Sequence, residues 1–156
     1  MHRIGVMPFR LNSKDEFELL FVTSQTRKRW ILPKGNAKSG ESPEDVCHRE
    51  AFEEAGIKGV VLSNFPLTSV VGRLTEDGIE RIPVTYYPML VQEEADKWPE
   101  VNDRRRRWVS YSKLKKYVRD DDVRKIVRNF EELTPWIKEV VEGLSKKQLA
   151  KLKLVK

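Results

Sequence analysis

The chain has 156 residues, 39% of them apolar and 35% charged, with a formal net charge of +6. That profile describes one folded domain and excludes an intrinsically disordered chain. No apolar run approaches the ~20 residues that a membrane-spanning helix needs, and the single cysteine, Cys47, excludes an internal disulfide.

The basic balance points to an anionic partner without choosing among nucleotide, polyphosphate, nucleic acid and membrane surface. Met1 to Gly5 lack the apolar core of a signal peptide, so a cytoplasmic location is expected.

Arg3–Phe9 and Glu16–Val22 are β-rich and flank the turn-like Asn12-Ser13-Lys14-Asp15, which predicts a hairpin. Trp30-Ile31-Leu32 reads as a short strand ending at Pro33, and Lys34–Gly40 as a loop. A helix is predicted from about Pro43 to Ala55. Ser42 suits its N-cap, Pro43 its first position, and Gly56 the left-handed residue that stops it. Cys47 falls inside this helix and reads as a packing residue, not a nucleophile.

Val60–Leu62, Ser69–Leu74, Ile82–Val91 and Arg106–Ser110 read as strands, with a turn at Glu76-Asp77-Gly78. Ser112–Val118 and Asp121–Leu133 read as helices, and Pro135 is expected to open another through Val141. Strands mixed with helices predict an α+β domain with a mixed sheet. It is expected to span residues 1–144, with 145–156 as a basic tail carrying five lysines and no acid.

Chemistry concentrates on the predicted helix after Ser42. Glu50 lies three residues from Glu53 and four from Glu54, spacings that make side chains neighbours on one helix face. Carboxylates so close repel one another, and a hard divalent cation such as Mg²⁺ would offset that repulsion. Zinc would want more histidine and cysteine than His48 and Cys47 supply.

The wider pattern begins with Gly35, then five residues, then Glu41. Seven residues later come Arg49, Glu50, Ala51, any residue, Glu53, Glu54, any residue, Gly56 and Ile57. This pattern resembles the signature box of the Nudix hydrolases.

The resemblance implies an α/β/α sandwich around a mixed sheet, with the box as loop–helix–loop. It implies that Glu50, Glu53 and Glu54 bind Mg²⁺, with Mn²⁺ as an alternative, and that the carbonyl of Gly35 adds to them. Glu50, Arg49 and Glu53 are the expected catalytic group. Glu50 serves as general base or places the water, Arg49 orients a box carboxylate, and Glu41 supports the loop.

The flanks bear on the substrate. Trp30 to Gly35 is similar to the corresponding stretch of diadenosine polyphosphate and diphosphoinositol polyphosphate hydrolases. Glu94–Val109 looks more like the second group. Arg29, Lys34, Arg27 and Arg81 are the expected substrate-binding cations, since guanidinium forks suit phosphate. Arg104–Arg107 reads as a polyphosphate clamp, an RNA-contacting patch or a plain charged strand.

The Gly35-Asn36-Ala37-Lys38 loop has fewer glycines than the diphosphoinositol group, which leans toward dinucleotides. Arg107 stands where many Nudix enzymes carry an acid, leaving Glu93, Glu94 and Glu100 as substitutes.

The expected activity is Mg²⁺-dependent hydrolysis of a phosphoanhydride in diphosphoinositol polyphosphates, diadenosine polyphosphates or both, with no membrane partner and the oligomeric state left open. Pyrophosphate removal from RNA 5′ ends and a non-enzymatic sensing module are the alternatives.

Overall fold

The computed structural model describes residues 2–144. In chain order it contains β1 (Arg3–Leu11), β2 (Phe17–Thr23), β3 (Trp30–Ile31), β4 (Lys34–Gly35), α1 (Pro43–Ala55) and β5 (Ile57–Val61). There follow β6 (Leu67–Thr75), β7 (Gly78–Glu94), β8 (Arg106–Ser110), a 3₁₀ turn at Tyr111–Lys113, α2 (Leu114–Tyr117) and α3 (Asp121–Gly143).

The strands form one mixed sheet with the path β3-β2-β1-β7-β5. β1 pairs in parallel with β7 and antiparallel with β2, in the predicted hairpin. β8 adds antiparallel to β2, β4 to β1, and β6 folds back on β7.

The period-2 alternation of the strands builds two separate cores. In β2, Leu19 and Phe21 point to one face, where they pack with Phe9, Phe130 and Ile137. Leu20 and Val22 point to the other, against Cys47, Ala51 and Ala55 of α1. The sheet is thus held between α1 and α3, the sandwich expected from the resemblance.

Several boundaries differ from expectation: β6 and β7 run beyond Ser69–Leu74 and Ile82–Val91, and the helix expected at Ser112–Val118 is a 3₁₀ turn followed by the short α2. β5 begins at Ile57, immediately after the stop of α1, not at Val60. Lys34 and Gly35, expected in a loop, pair with Gly5 and Ile4 of β1.

Pro135 does not open a new helix, because α3 runs unbroken through it. A proline cannot donate to the carbonyl four residues back. The hydroxyl of Thr134 donates to that carbonyl, on Glu131, at 2.6 Å. Ile137, fully buried beyond the proline, keeps the last turns seated on the sheet. The expected basic tail, residues 145–156, lies outside the described residues.

Candidate active site

Helix α1 is capped as its sequence predicts. The Ser42 hydroxyl accepts from the Asp45 amide at 3.1 Å, and the Asp45 carboxylate accepts from the Ser42 amide at 3.0 Å. Gly56 closes the helix at φ 67°, its amide donating to Phe52 at 2.9 Å. The last turn is covered by the segment after β7. The Trp98 indole donates to the Glu54 carbonyl at 3.0 Å, and the Glu100 amide to the Glu53 carbonyl at 3.1 Å.

Arg49 ties the loop before the helix to the carboxylates on it. Its Nε and Nη2 donate to the two oxygens of Glu41 at 2.7 and 2.8 Å, and Nη2 also donates to the Asn36 carbonyl at 2.9 Å. Its Nη1 donates to Glu50 and lies 3.5 Å from Glu53. Glu41 accepts from the Lys38 amide as well. The Arg49 hydrogen bond and that amide pull the Glu41 carboxyl down to about 2. Its contacts with Glu41 and Glu50 raise Arg49 in turn.

Glu50 and Glu54 are both buried, at 8% and 4% exposure, although each carries a carboxylate. Burial first, and the hydrogen bond that protonated Glu54 donates to Glu50 second, push the Glu54 carboxyl well above the ordinary carboxylate range. The opposing influence is Arg104, whose guanidinium lies 3.6 Å from Glu54 and 2.8 Å from Glu100. Gly35 faces the pair closely enough that a Cβ there would meet the Glu50 carboxylate.

Two buried carboxylates in contact are costly unless protonated or matched by a cation. This donor set is all oxygen and suits a hard divalent ion. Among the described residues no three or more acidic, imidazole or thiol groups are gathered closely enough to hold a metal ion by themselves, the Glu50, Glu53 and Glu54 set included. An open Mg²⁺ site needs no such set, since one or two carboxylates, water and substrate phosphate complete it.

A cavity of about 590 Å³ is lined by seven cationic side chains and three acidic ones; no box glutamate lines it, and Lys34, next to Gly35, is its link to them. All four sequence-predicted substrate cations, Arg27, Arg29, Lys34 and Arg81, line it. Burial pulls the Lys34 ammonium below its ordinary value, partly offset by Glu54. Arg29 is hydrogen-bonded to Asp120 at the start of α3.

Arg3, Arg119 and Tyr86 also line this cavity and were missed. Arg3 opens β1 opposite Val84, and Arg119 arrives only because the chain turns back between α2 and α3. Neither fact has a local signal in sequence.

Three of the four arginines of the Arg104–Arg107 run are engaged within the fold, and Arg105 is exposed. Arg104 turns inward to Glu54, Glu100 and the Thr23 carbonyl. Arg106 donates to the Ala55 carbonyl and lies 4.2 Å from the Trp98 ring, and Arg107 donates to the Tyr117 hydroxyl.

A family model for the NUDIX domain matches residues 1–130. The chain belongs to the Nudix hydrolase family. Nudix hydrolases act as pyrophosphohydrolases on phosphorus-containing acid anhydrides, generally with a divalent metal.

Among Nudix relatives, the chain is 34% identical over 128 residues to "Nudix hydrolase 18, mitochondrial" of Arabidopsis thaliana, covering 75% of this chain and 68% of the other. It is 31% identical over 108 residues to a diphosphoinositol polyphosphate phosphohydrolase, 3-beta, of Bos taurus, covering 68% and 62%. The fold superposes with a TM-score of 0.65 on a C. elegans Ap4A hydrolase binary complex, at 16% identity, covering 86% and 97%. The chain spans 63% to 68% of the length of the first plant relatives it matches.

Within this Nudix fold the three candidate downstream acids separate. Glu100 joins the carboxylate cluster through Arg104, whereas Glu94 accepts from the Trp108 indole at 3.1 Å. Glu93 pairs in register with Lys58 at the far edge of the sheet. Cys47 is fully buried, and burial pushes its thiol up to about 12, which removes it as a nucleophile.

Proposed function

We propose that this chain hydrolyses a phosphoanhydride bond in small, multiply phosphorylated substrates, namely diphosphoinositol polyphosphates and diadenosine polyphosphates. The observation that carries this reading is Lys34, which lines the cation-rich cavity and is also within electrostatic reach of the buried Glu54. The family supplies the reaction class, and the bovine relative's name supports the first substrate.

Glu50, Glu53, Glu54 and the Gly35 carbonyl are the groups that would hold Mg²⁺, with Mn²⁺ as the alternative. The ion, when bound, lowers the pKa of water and neutralises phosphate charge. Glu50 accepts the proton of the attacking water. Arg49 fixes the Glu50 carboxylate by donating to it, and Glu41 fixes Arg49 from the other side.

Lys34, Arg29, Arg27 and Arg81 bind the substrate's phosphates, which is where positioning and charge neutralisation accelerate phosphoryl displacement. The half-buried setting of Lys34 strengthens its interaction with an anion relative to a solvated lysine. Residues 1–144 act as the catalytic domain. The RNA reading loses its main support because Arg104, Arg106 and Arg107 are committed within the fold. A sensing module is disfavoured by retention of every box glutamate.

The test is incubation with Mg²⁺ and a panel of diphosphoinositol polyphosphate, diadenosine polyphosphates, nucleoside triphosphates and triphosphorylated RNA, with products resolved by ion exchange. Preferred cleavage of either of the first two supports the reading. Cleavage of RNA alone, or of nothing, overturns it.

A further inference from the structure

A second cavity, of about 290 Å³, is lined entirely by cations and aromatic rings: Arg27, Lys28, Arg29, Lys116 and Arg119 with Trp30 and Tyr117. Arg27, Arg29 and Arg119 also line the cavity that contains Lys34, so the two adjoin. Of the five cations, Arg29 is paired with Asp120. Among the described residues, Arg27, Lys28, Lys116 and Arg119 have no carboxylate within ion-pair reach. A cleft of one sign concentrates counter-ions of the other.

The turn that supplies Arg27, Lys28 and Arg29 is held in place. Lys28 sits at φ 54°, a left-handed conformation that side chains with a Cβ rarely adopt. Its ammonium donates to the Asp103 carbonyl at 3.0 Å. Strained backbone of this kind persists only where its surroundings enforce it.

Both aromatic rings of the lining also engage cations. Arg107 lies over both, 5.6 Å from the Trp30 centroid and 4.5 Å from that of Tyr117. Arg105 is 5.8 Å from Trp30, and Lys116 is 5.4 Å from Tyr117. Each ring therefore already has two cations near it. The Arg107 Nε is buried without a hydrogen-bond partner among the described residues. Five cations around one small cavity make phosphate the ligand chemistry it favours.

We propose that this cavity is an outer phosphate subsite, binding the distal phosphates of a long or highly phosphorylated polyanion. The inference rests on the proposed function in taking the Lys34 cavity as the place of the scissile phosphate. The shared chemistry is clustered phosphate, borne either by a linear chain or by a phosphorylated inositol ring.

The test needs no turnover. Binding of inositol hexakisphosphate, a linear polyphosphate of similar charge, inorganic tripolyphosphate and a diadenosine polyphosphate is measured by calorimetry in EDTA. The protein is the wild type and the double variant Lys116→Ala/Arg119→Ala. Both positions are exposed, and unchanged thermal unfolding confirms folding.

Because two phosphate contacts are lost, the ring, the linear chain or both weaken about tenfold or more, while tripolyphosphate weakens much less. Loss for the ring alone or the chain alone identifies the source; loss for both assigns phosphate in common. The charge-preserving Lys116→Arg/Arg119→Lys variant retains binding. Equal weakening of all ligands, no weakening, or the largest loss on the dinucleotide overturns the subsite. Failure of the turnover panel would leave these binding outcomes readable.

Discussion

The Glu50 carboxylate lies against the α-carbon of Gly35: a Cβ built there would stand 2.2 Å from Oε1 and 2.4 Å from Cδ. Glu50 is also held by Arg49, so it has little room to yield. Gly35→Ala is therefore expected to displace the Glu50 carboxylate, with an overpacking cost of about 1–3 kcal/mol. Calorimetry should show weakened Mg²⁺ binding and a kinetic assay lowered kcat. Unchanged binding and turnover would mean that the two residues do not need this contact.

Glu53→Gln and Glu54→Gln are expected to abolish Mg²⁺-dependent turnover and leave the fold intact. Each removes a charge that would face the ion without changing side-chain size. Far-ultraviolet circular dichroism checks the fold and product analysis the activity. Full activity in both variants would sink the assignment of these glutamates.

The metal-free protein should lose stability as pH rises. Burial and contact with Glu50 raise the Glu54 carboxyl in the folded state. Above the ordinary carboxylate range the unfolded chain has released this proton while the folded one still holds it. The unfolded state then binds fewer protons, so the unfolding free energy falls with increasing pH. The stabilisation is complete below the unfolded pKa and is lost as pH climbs through the raised one. Melting temperatures measured in EDTA should fall over this span, and Glu54→Gln should flatten the fall. Equal slopes for the two proteins would show that Glu54 does not hold the proton.

Thr134 and Pro135 should be energetically coupled. With Pro135 present, Thr134→Val leaves the Glu131 carbonyl without its hydroxyl donor. A cost of about 1 kcal/mol is expected. In a Pro135→Ala background the new amide can serve that carbonyl, so the same change should cost clearly less. Denaturant unfolding of the four proteins measures the difference. Additive effects would refute the exchange of donors.

Local signals carried the helix of the site well. Ser42, Pro43 and Gly56 mark both ends of α1, and the order Arg49, Glu50, Glu53, Glu54 places the carboxylates on it. Period-2 alternation located most strands, and the four cations expected to bind substrate do share a cavity.

What sequence could not convey depends on contacts remote along the chain. Arg104 and Arg107 look alike as neighbours in a basic run, yet one reaches Glu54 and the other Tyr117. Arg119 joins Arg27 across the molecule. Pro135 misled because its compensation is a side-chain hydroxyl, and a proline after a helix-like stretch usually signals a boundary.

The opposed placement of Leu19 and Phe21 against Leu20 and Val22 has a consequence for how this chain can change in length. Removing or adding one residue within β2 would exchange the residues sent to the two sides of the sheet, so the damage would reach α1 and α3 together. Length change is far better absorbed at the exposed Ser13–Asp15 and Glu76–Gly78 turns, where no side chain owes its place to the reading frame of a buried strand. Variation in loop size among related chains should therefore gather at those turns, while β2 keeps a constant residue count.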